Sequence, residues 1–195
     1  MADPPQDLVQ AAEAVLDRHG WHGMTADLIA EAAGINRVTL YRRGHNAATL
    51  MAAAVTAAAR EFREGALGAL SDGGTACHRL TLLLEALFDV ADRHLALLAL
   101  LYDGPTAVFH LSGGDSDAAV TRFEYTEPFE RILRDGLTDA TLTTSDPSRD
   151  AELIFNVAGW TYVHMRRSHG QPAERARADL HRLIGALVAE ESART

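Results

Sequence analysis

The sequence predicts an all-α protein of about nine helices, a short N-terminal three-helix domain followed by a larger helical one. Apolar residues recur at helical spacing, as in Leu180, Leu183, Ile184, Leu187 and Val188, which follow i, i+3, i+4, i+7, i+8. No segment sustains the period-two alternation of a half-buried strand. Capping residues, glycines and prolines divide the periodic stretches into helix-sized lengths.

The first helix is expected over residues 6–19, with Leu8, Ala11, Ala12, Val15 and Leu16 on one face and Gly20 as its stop. Thr25 is a good N-cap for a second helix that runs to Ala33 with Leu28, Ile29 and Ala32 inward, and Trp21 packs the first helix on the second. Gly34 supplies a tight turn. A third helix starts at Asn36 and stops at Arg43-Gly44, with Val38 and either Leu40 or Tyr41 packing inward. The fourth is capped near Asn46 and continues, alanine-rich, to about Leu70, before the loop Ser71-Asp72-Gly73-Gly74. Residues 80–101 read as apolar helix, bent or broken near Arg93-His94. Gly104-Pro105 and residues 112–117 are irregular; a helix over 118–137 is kinked or restarted by Pro128. The final two helices cover about 149–168 and 172–191.

Of the 195 residues, 47% are hydrophobic, enough to bury a core without disulfides or metal, and the one cysteine, Cys77, fits a reducing interior. Met1-Ala2-Asp3-Pro4-Pro5 has neither a basic nor an apolar leader region, and residues 80–102 are interrupted by Glu85, Asp89, Asp92, Arg93 and His94. A soluble cytoplasmic protein that does not enter a membrane is expected.

A net charge of −9 argues against nucleic acid, but its distribution does not. Residues 32–60 hold no carboxylate and four arginines, Arg37, Arg42, Arg43 and Arg60, so the rest of the chain carries −13. At the average of 27 acids in 195 residues, such a window would hold about four. Screening limits a charge's reach to about 10 Å, so local charge decides phosphate affinity.

Two short helices joined by Ala33-Gly34-Ile35 make the helix-turn-helix layout, whose second helix enters the major groove. Asn36, Arg37, Thr39 and Arg42 are expected to point outward there. Arginine can pair with guanine, asparagine with adenine, and threonine can meet a thymine methyl.

Residues 8–50 resemble the N-terminal domain of the TetR family of transcriptional regulators. The likeness runs through Ala11-Ala12, Leu16, His19-Gly20-Trp21, Met24-Thr25, the run from Ile29 to Ile35, Thr39-Leu40-Tyr41 and Leu50. It implies that Thr25 and Tyr41 meet phosphates and that Arg37, Thr39 and Arg42 meet bases or the groove. The family usually has His-Phe where this chain has Arg43-Gly44, and a lysine at Ala47; Arg43 and His45 are the expected substitutes for the lost phosphate contact. The resemblance implies a domain boundary near residue 50, with 1–50 binding DNA and 51–195 binding an effector and a second copy. The expected partners are double-stranded operator DNA with palindromic half-sites, a homodimeric mate and an unidentified small-molecule effector. The expected role is a repressor released by that effector. A helical protein–protein adaptor that has lost DNA binding is the alternative.

Leu84, Phe88, Leu98, Tyr102, Phe109, Phe123 and Phe129 are the expected lining of an apolar effector pocket. Trp160, Met165, Leu180, Leu183, Ile184, Leu187 and Val188 are the expected dimer face, a four-helix bundle across a two-fold axis. Among the nine histidines no pair stands at i, i+4, and His164 and His169 lie five apart across a helix end, so no metal and no cofactor is expected. No residue pattern nominates a nucleophile or a base, so no enzymatic activity is expected.

Overall fold

A computed structural model of the chain describes residues 3–103 and 125–189, excluding the side chains of Tyr102 and Asp103. Among the described residues there are nine helices and no strand. They are α1 (Gln6–Gly23), α2 (Ala26–Ala32), α3 (Arg37–Arg42), α4 (Ala47–Ser71), α5 (Ala76–Arg93), α6 (Leu95–Asp103), α7 (Glu127–Asp139), α8 (Pro147–Arg167) and α9 (Ala173–Val188). No described helix is long and apolar enough to cross a membrane.

Two compact units share these helices. One takes residues up to Arg60 together with α6; the other runs from Glu61 to Arg93 and takes α7, α8 and α9. In the first, α1 packs on α2 and α6, and α2 on α3. Its core joins Leu8, Val15 and Leu16 of α1 to Ile29, Leu40, Leu50, Met51 and Leu97, all nearly or fully buried. Trp21 is half-buried against this core, as expected. In the second, α5, α7, α8 and α9 pack on one another, with Phe88 stacked on Tyr162 at 4.6 Å. Fully burying side chains of this kind stabilises by about 1.5–3 kcal/mol each.

Element ends follow local chemistry. At Gly20 the chain leaves helical geometry with φ 66, so the expected stop is a kink within α1. Asn46 Oδ1 accepts from the Thr49 amide, and Thr49 Oγ1 accepts from the Asn46 amide, both at 2.9 Å, satisfying two donors at the start of α4. The predicted break at Arg93-His94 separates α5 from α6. Pro128 stands in the first turn of α7, where its missing N–H disrupts no helical bond. The expectations for residues 104–117 and 118–124, for Phe109 and Phe123, and for the Tyr102 side chain lie outside the described residues.

Candidate nucleic-acid interface

The turn between α2 and α3 is built by backbone bonds that a glycine permits. The Gly34 amide donates to the Glu31 carbonyl at 3.0 Å and the Ile35 amide to Ala30 at 2.9 Å, with Gly34 at φ 64. These are the two bonds of a Schellman helix end, and a side chain at that φ would be strained. The pattern repeats after α3. Gly44 (φ 76) donates to Tyr41 at 2.9 Å and His45 to Leu40 at 3.2 Å. Gly44, where the resembled family has an aromatic residue, thus serves as a left-handed helix stop.

Both helix starts are capped by side chains. Thr25 Oγ1 accepts from the Leu28 amide at 3.3 Å, and Asn36 Oδ1 from the Thr39 amide at 2.7 Å. The Thr25 hydroxyl still has its proton to donate while it caps. Asn36 keeps its amide N–H donors and one lone pair on Oδ1, so the cap fixes the orientation from which it could meet a base.

Six residues in α3 allow one inward position, and Leu40 takes it, fully buried. Val38, two residues back, is about 200° round the helix and faces outward at 73% exposure. The expectation that Val38 packs inward is therefore corrected. Tyr41 is 51% exposed. Asn36, Arg37, Arg42 and Arg43 are exposed as well, and Thr39 is half-buried. These residues form one polar surface at the start and outer side of α3. His45 does not join it: at 5% exposure, with Nδ1 buried and unpartnered among the described residues, it is a core side chain. Its expected phosphate role fails on burial, whereas Arg43 is exposed.

Asp27, which the sequence reading missed, changes the charge map. Its carboxylate meets Arg37 Nη1 at 3.0 Å, and Arg37 also lies over the Tyr41 ring, 5.4 Å from its centroid. Contact with Tyr41 and the charge of Asp27 hold the Arg37 guanidinium above its ordinary pKa. The carboxylate-free window is thus not carboxylate-free in space. Helix α2 brings an acid from its first turn to the start of α3, a tertiary effect with no local signal in the sequence.

The other expected sites are divided by the fold. Leu84, Phe88 and Phe129 are buried in the second unit, whereas Leu98 belongs to the first. Phe129 packs with Phe62 and Phe155, and Tyr125 packs with the same two rings, at centroid distances of 5.5–6.4 Å within this cluster. Of the expected pocket residues that are described, only Leu84 borders the cleft of about 250 Å3 beside Cys77, Thr81, Leu142 and His181. On α9, Leu180, Ile184 and Val188 are buried in their own unit, which corrects their assignment to a dimer face. Leu183 and Leu187 remain about half exposed, as does Leu153 on α8, while Trp160 and Met165 are half-buried.

Residues 8–43 match the family model described as bacterial regulatory proteins of the tetR family. The N-terminal segment is a TetR-family helix-turn-helix domain. Solved structures resemble most of the chain in fold at low identity. The TetR-family regulator PfmR from Thermus thermophilus is 17% identical with TM-score 0.69, over 91% of this chain and 96% of that one. SmeT, the repressor of the Stenotrophomonas maltophilia multidrug efflux pump SmeDEF, is 19% identical with TM-score 0.67, over 96% and 91%. SmeT in complex with triclosan gives 16% and 0.68, over 96% and 92%. No curated protein matches the chain by sequence. The described residues thus share the all-α fold of these structures, with an N-terminal segment that matches the tetR-family model.

Proposed function

We propose that this chain is a sequence-specific DNA-binding transcriptional regulator that acts in the cytoplasm as a homodimer. The observation that carries the reading is the surface of α3. A helix capped at both ends presents Arg37, Val38, Tyr41, Arg42 and Arg43 outward on a buried Leu40. Arg37 and Arg42 read base edges, Val38 offers an apolar contact to a thymine methyl, and Thr25, Tyr41 and Arg43 hold phosphates. Residues 1–50 act as the DNA-binding domain and 51–195 as the effector and dimer domain.

The regulator is a repressor released from a palindromic operator by a small molecule. SmeT, similar in fold, is a repressor and has been solved with triclosan, which supports this role for the larger domain. The aromatic cluster of buried Phe62 and Phe129 with half-buried Tyr125 and Phe155 borders the effector site in this reading. Leu153, Trp160, Met165, Leu183 and Leu187 form the dimer face, and the two-fold axis sets two α3 helices on two half-sites. An effector releases the operator only as far as it prefers the non-binding conformer, and DNA weakens effector binding by the same factor.

Selection of bound sites from random-sequence duplexes tests the function. The expected product is an inverted repeat with half-sites about one helical turn apart or somewhat more. Recovery of no sequence preference contradicts the regulator and favours a helical protein–protein adaptor.

A further inference from the structure

We propose that His164 and His169 form a two-imidazole site for a divalent transition-metal ion at the end of α8. On a continuous helix their spacing forbids it, because neighbours on one face stand three or four residues apart. The helix end removes that objection. Helix α8 stops at Arg167, and the amides of Ser168 and His169 both donate to the His164 carbonyl, at 2.9 and 3.4 Å. Gly170, at φ 59, then turns the chain, and the Gln171 amide donates to the Met165 carbonyl at 3.0 Å. The turn folds His169 back beside His164.

A half-buried side chain fastens the same turn. Arg166 Nη1 donates to the Gln171 carbonyl at 2.8 Å, while its Nε is held by Asp92 at 2.8 Å. The backbone that carries the two histidines is therefore fixed from beneath. Both rings are exposed, so an ion can reach them from solvent.

The ring geometry is that of two ligands aimed at one point. The Nε2 atoms are 3.1 Å apart, the ring centroids 4.8 Å apart and the planes inclined at 82°. Two nitrogens at about 2.05 Å from one tetrahedral ion stand about 3.3 Å apart, close to the observed separation. With nitrogens at the observed distance and both lone pairs aimed at such an ion, the centroids come about 4.8 Å apart. Two rings facing each other end-on across a linear N–H···N bond would have centroids about 5.4 Å apart. The rings are thus inclined toward a common point; without an ion the two Nε2 atoms share one bent hydrogen bond, which an ion would replace. With the ion bound, each ring carries its proton on Nδ1 and offers Nε2 to the ion.

Imidazole nitrogen selects zinc, nickel or copper over calcium and magnesium, which prefer oxygen. Among the described residues no group of three or more histidine, cysteine, aspartate or glutamate side chains gathers around a metal position. Water fills the remaining coordination positions, so the site is exchangeable. A bound ion ties the last turn of α8 to the residue before Gly170 and stiffens the connection into α9.

Calorimetric titration of the tag-free full-length chain with zinc chloride or nickel chloride at pH 7.5 tests the site. The Cys77→Ser background is used, because Cys77 is exposed and its thiolate also attracts these ions. The expected result is one ion per chain and a rise in thermal midpoint with added ion. His169→Ala lowers the affinity at least tenfold and abolishes the thermal shift, whereas His22→Ala, an exposed histidine on α1, changes neither. Equal affinity in the parent and in both His164→Ala and His169→Ala, or no saturable binding in the parent, overturns the proposal.

Discussion

Replacing Arg177 by methionine removes the charge that holds α9 to α5 while keeping most of the side chain's length. Arg177 Nη1 meets Glu85 at 2.5 Å, and Nη2 meets Asp92 at 2.7 Å and Asp89 at 2.8 Å. Its Nε donates to the Tyr162 hydroxyl at 3.3 Å, and that hydroxyl donates to Asp92 at 2.7 Å. Burial works against the Arg177 charge, but Asp92, Tyr162, Asp89 and Glu85 together hold its pKa above the ordinary value. Removing one partner of a fully buried pair costs about 3–5 kcal/mol. Here the Arg177 and Asp92 side chains are 21% and 23% exposed and Asp89 about half, so solvent screening lowers this to about 2–3 kcal/mol. For a chain of this size that is a fall of about 4–12 °C in thermal midpoint.

The same substitution has a pH signature. Burial pushes the Asp92 carboxyl up, but hydrogen bonds from Arg177, Tyr162 and Arg166 outweigh it and hold its pKa below the usual value. A carboxyl depressed in the folded state stabilises above its unfolded value, about 3.9, and loses that contribution as pH falls through the folded value. Arg177→Met leaves Asp92 with two donors, so the variant loses less on acidification and the gap from the parent narrows below about pH 4. Urea unfolding followed by circular dichroism at pH 7 and pH 3 measures both. A difference under about 0.5 kcal/mol at pH 7, or an equal difference at both pH values, refutes the reasoning.

Other substitutions probe the helix-turn-helix and the second unit. Asn36→Ala removes the cap on α3 and lowers stability by about 1 kcal/mol, whereas Asn36→Asp keeps the cap and the thermal midpoint but weakens DNA binding through its charge. Calorimetry and fluorescence anisotropy separate the two effects. Asp27→Asn frees Arg37 and removes a carboxylate from the DNA-facing side, so anisotropy should report severalfold tighter binding at low salt. Gly136→Ala places a methyl group 2.5 Å from Leu142 Cβ, and denaturant unfolding should show a loss of about 1–3 kcal/mol.

The helices were legible because their ends are written in single residues. Gly34 and Gly44 take positive φ where turns were expected, and Thr25, Asn36 and Asn46 cap as expected. Periodicity was less sufficient for deciding what each face meets. Leu180, Ile184 and Val188 share a stripe with Leu183 and Leu187, yet α9 turns the first three into its own unit and leaves the other two half exposed. Val38 failed for a related reason. A helix as short as α3 has one inward position, and which residue takes it depends on where Leu40 meets the core. The Asp27–Arg37 pair and the meeting of His164 with His169 arise from turns between or after helices. Spacing rules for a continuous helix do not reach them.

The central claim is that α3 reads DNA, and titration of a selected duplex with the parent, Arg37→Ala and Arg42→Ala tests it most directly. Both arginines are exposed and neither supports the core, so the variants should fold as the parent does. The predicted result is a loss of about tenfold or more in affinity for each variant, with relaxed preference at the base pair that each arginine reads. Affinity within twofold of the parent for both variants, at the same salt, contradicts the assignment of α3 as the reading helix.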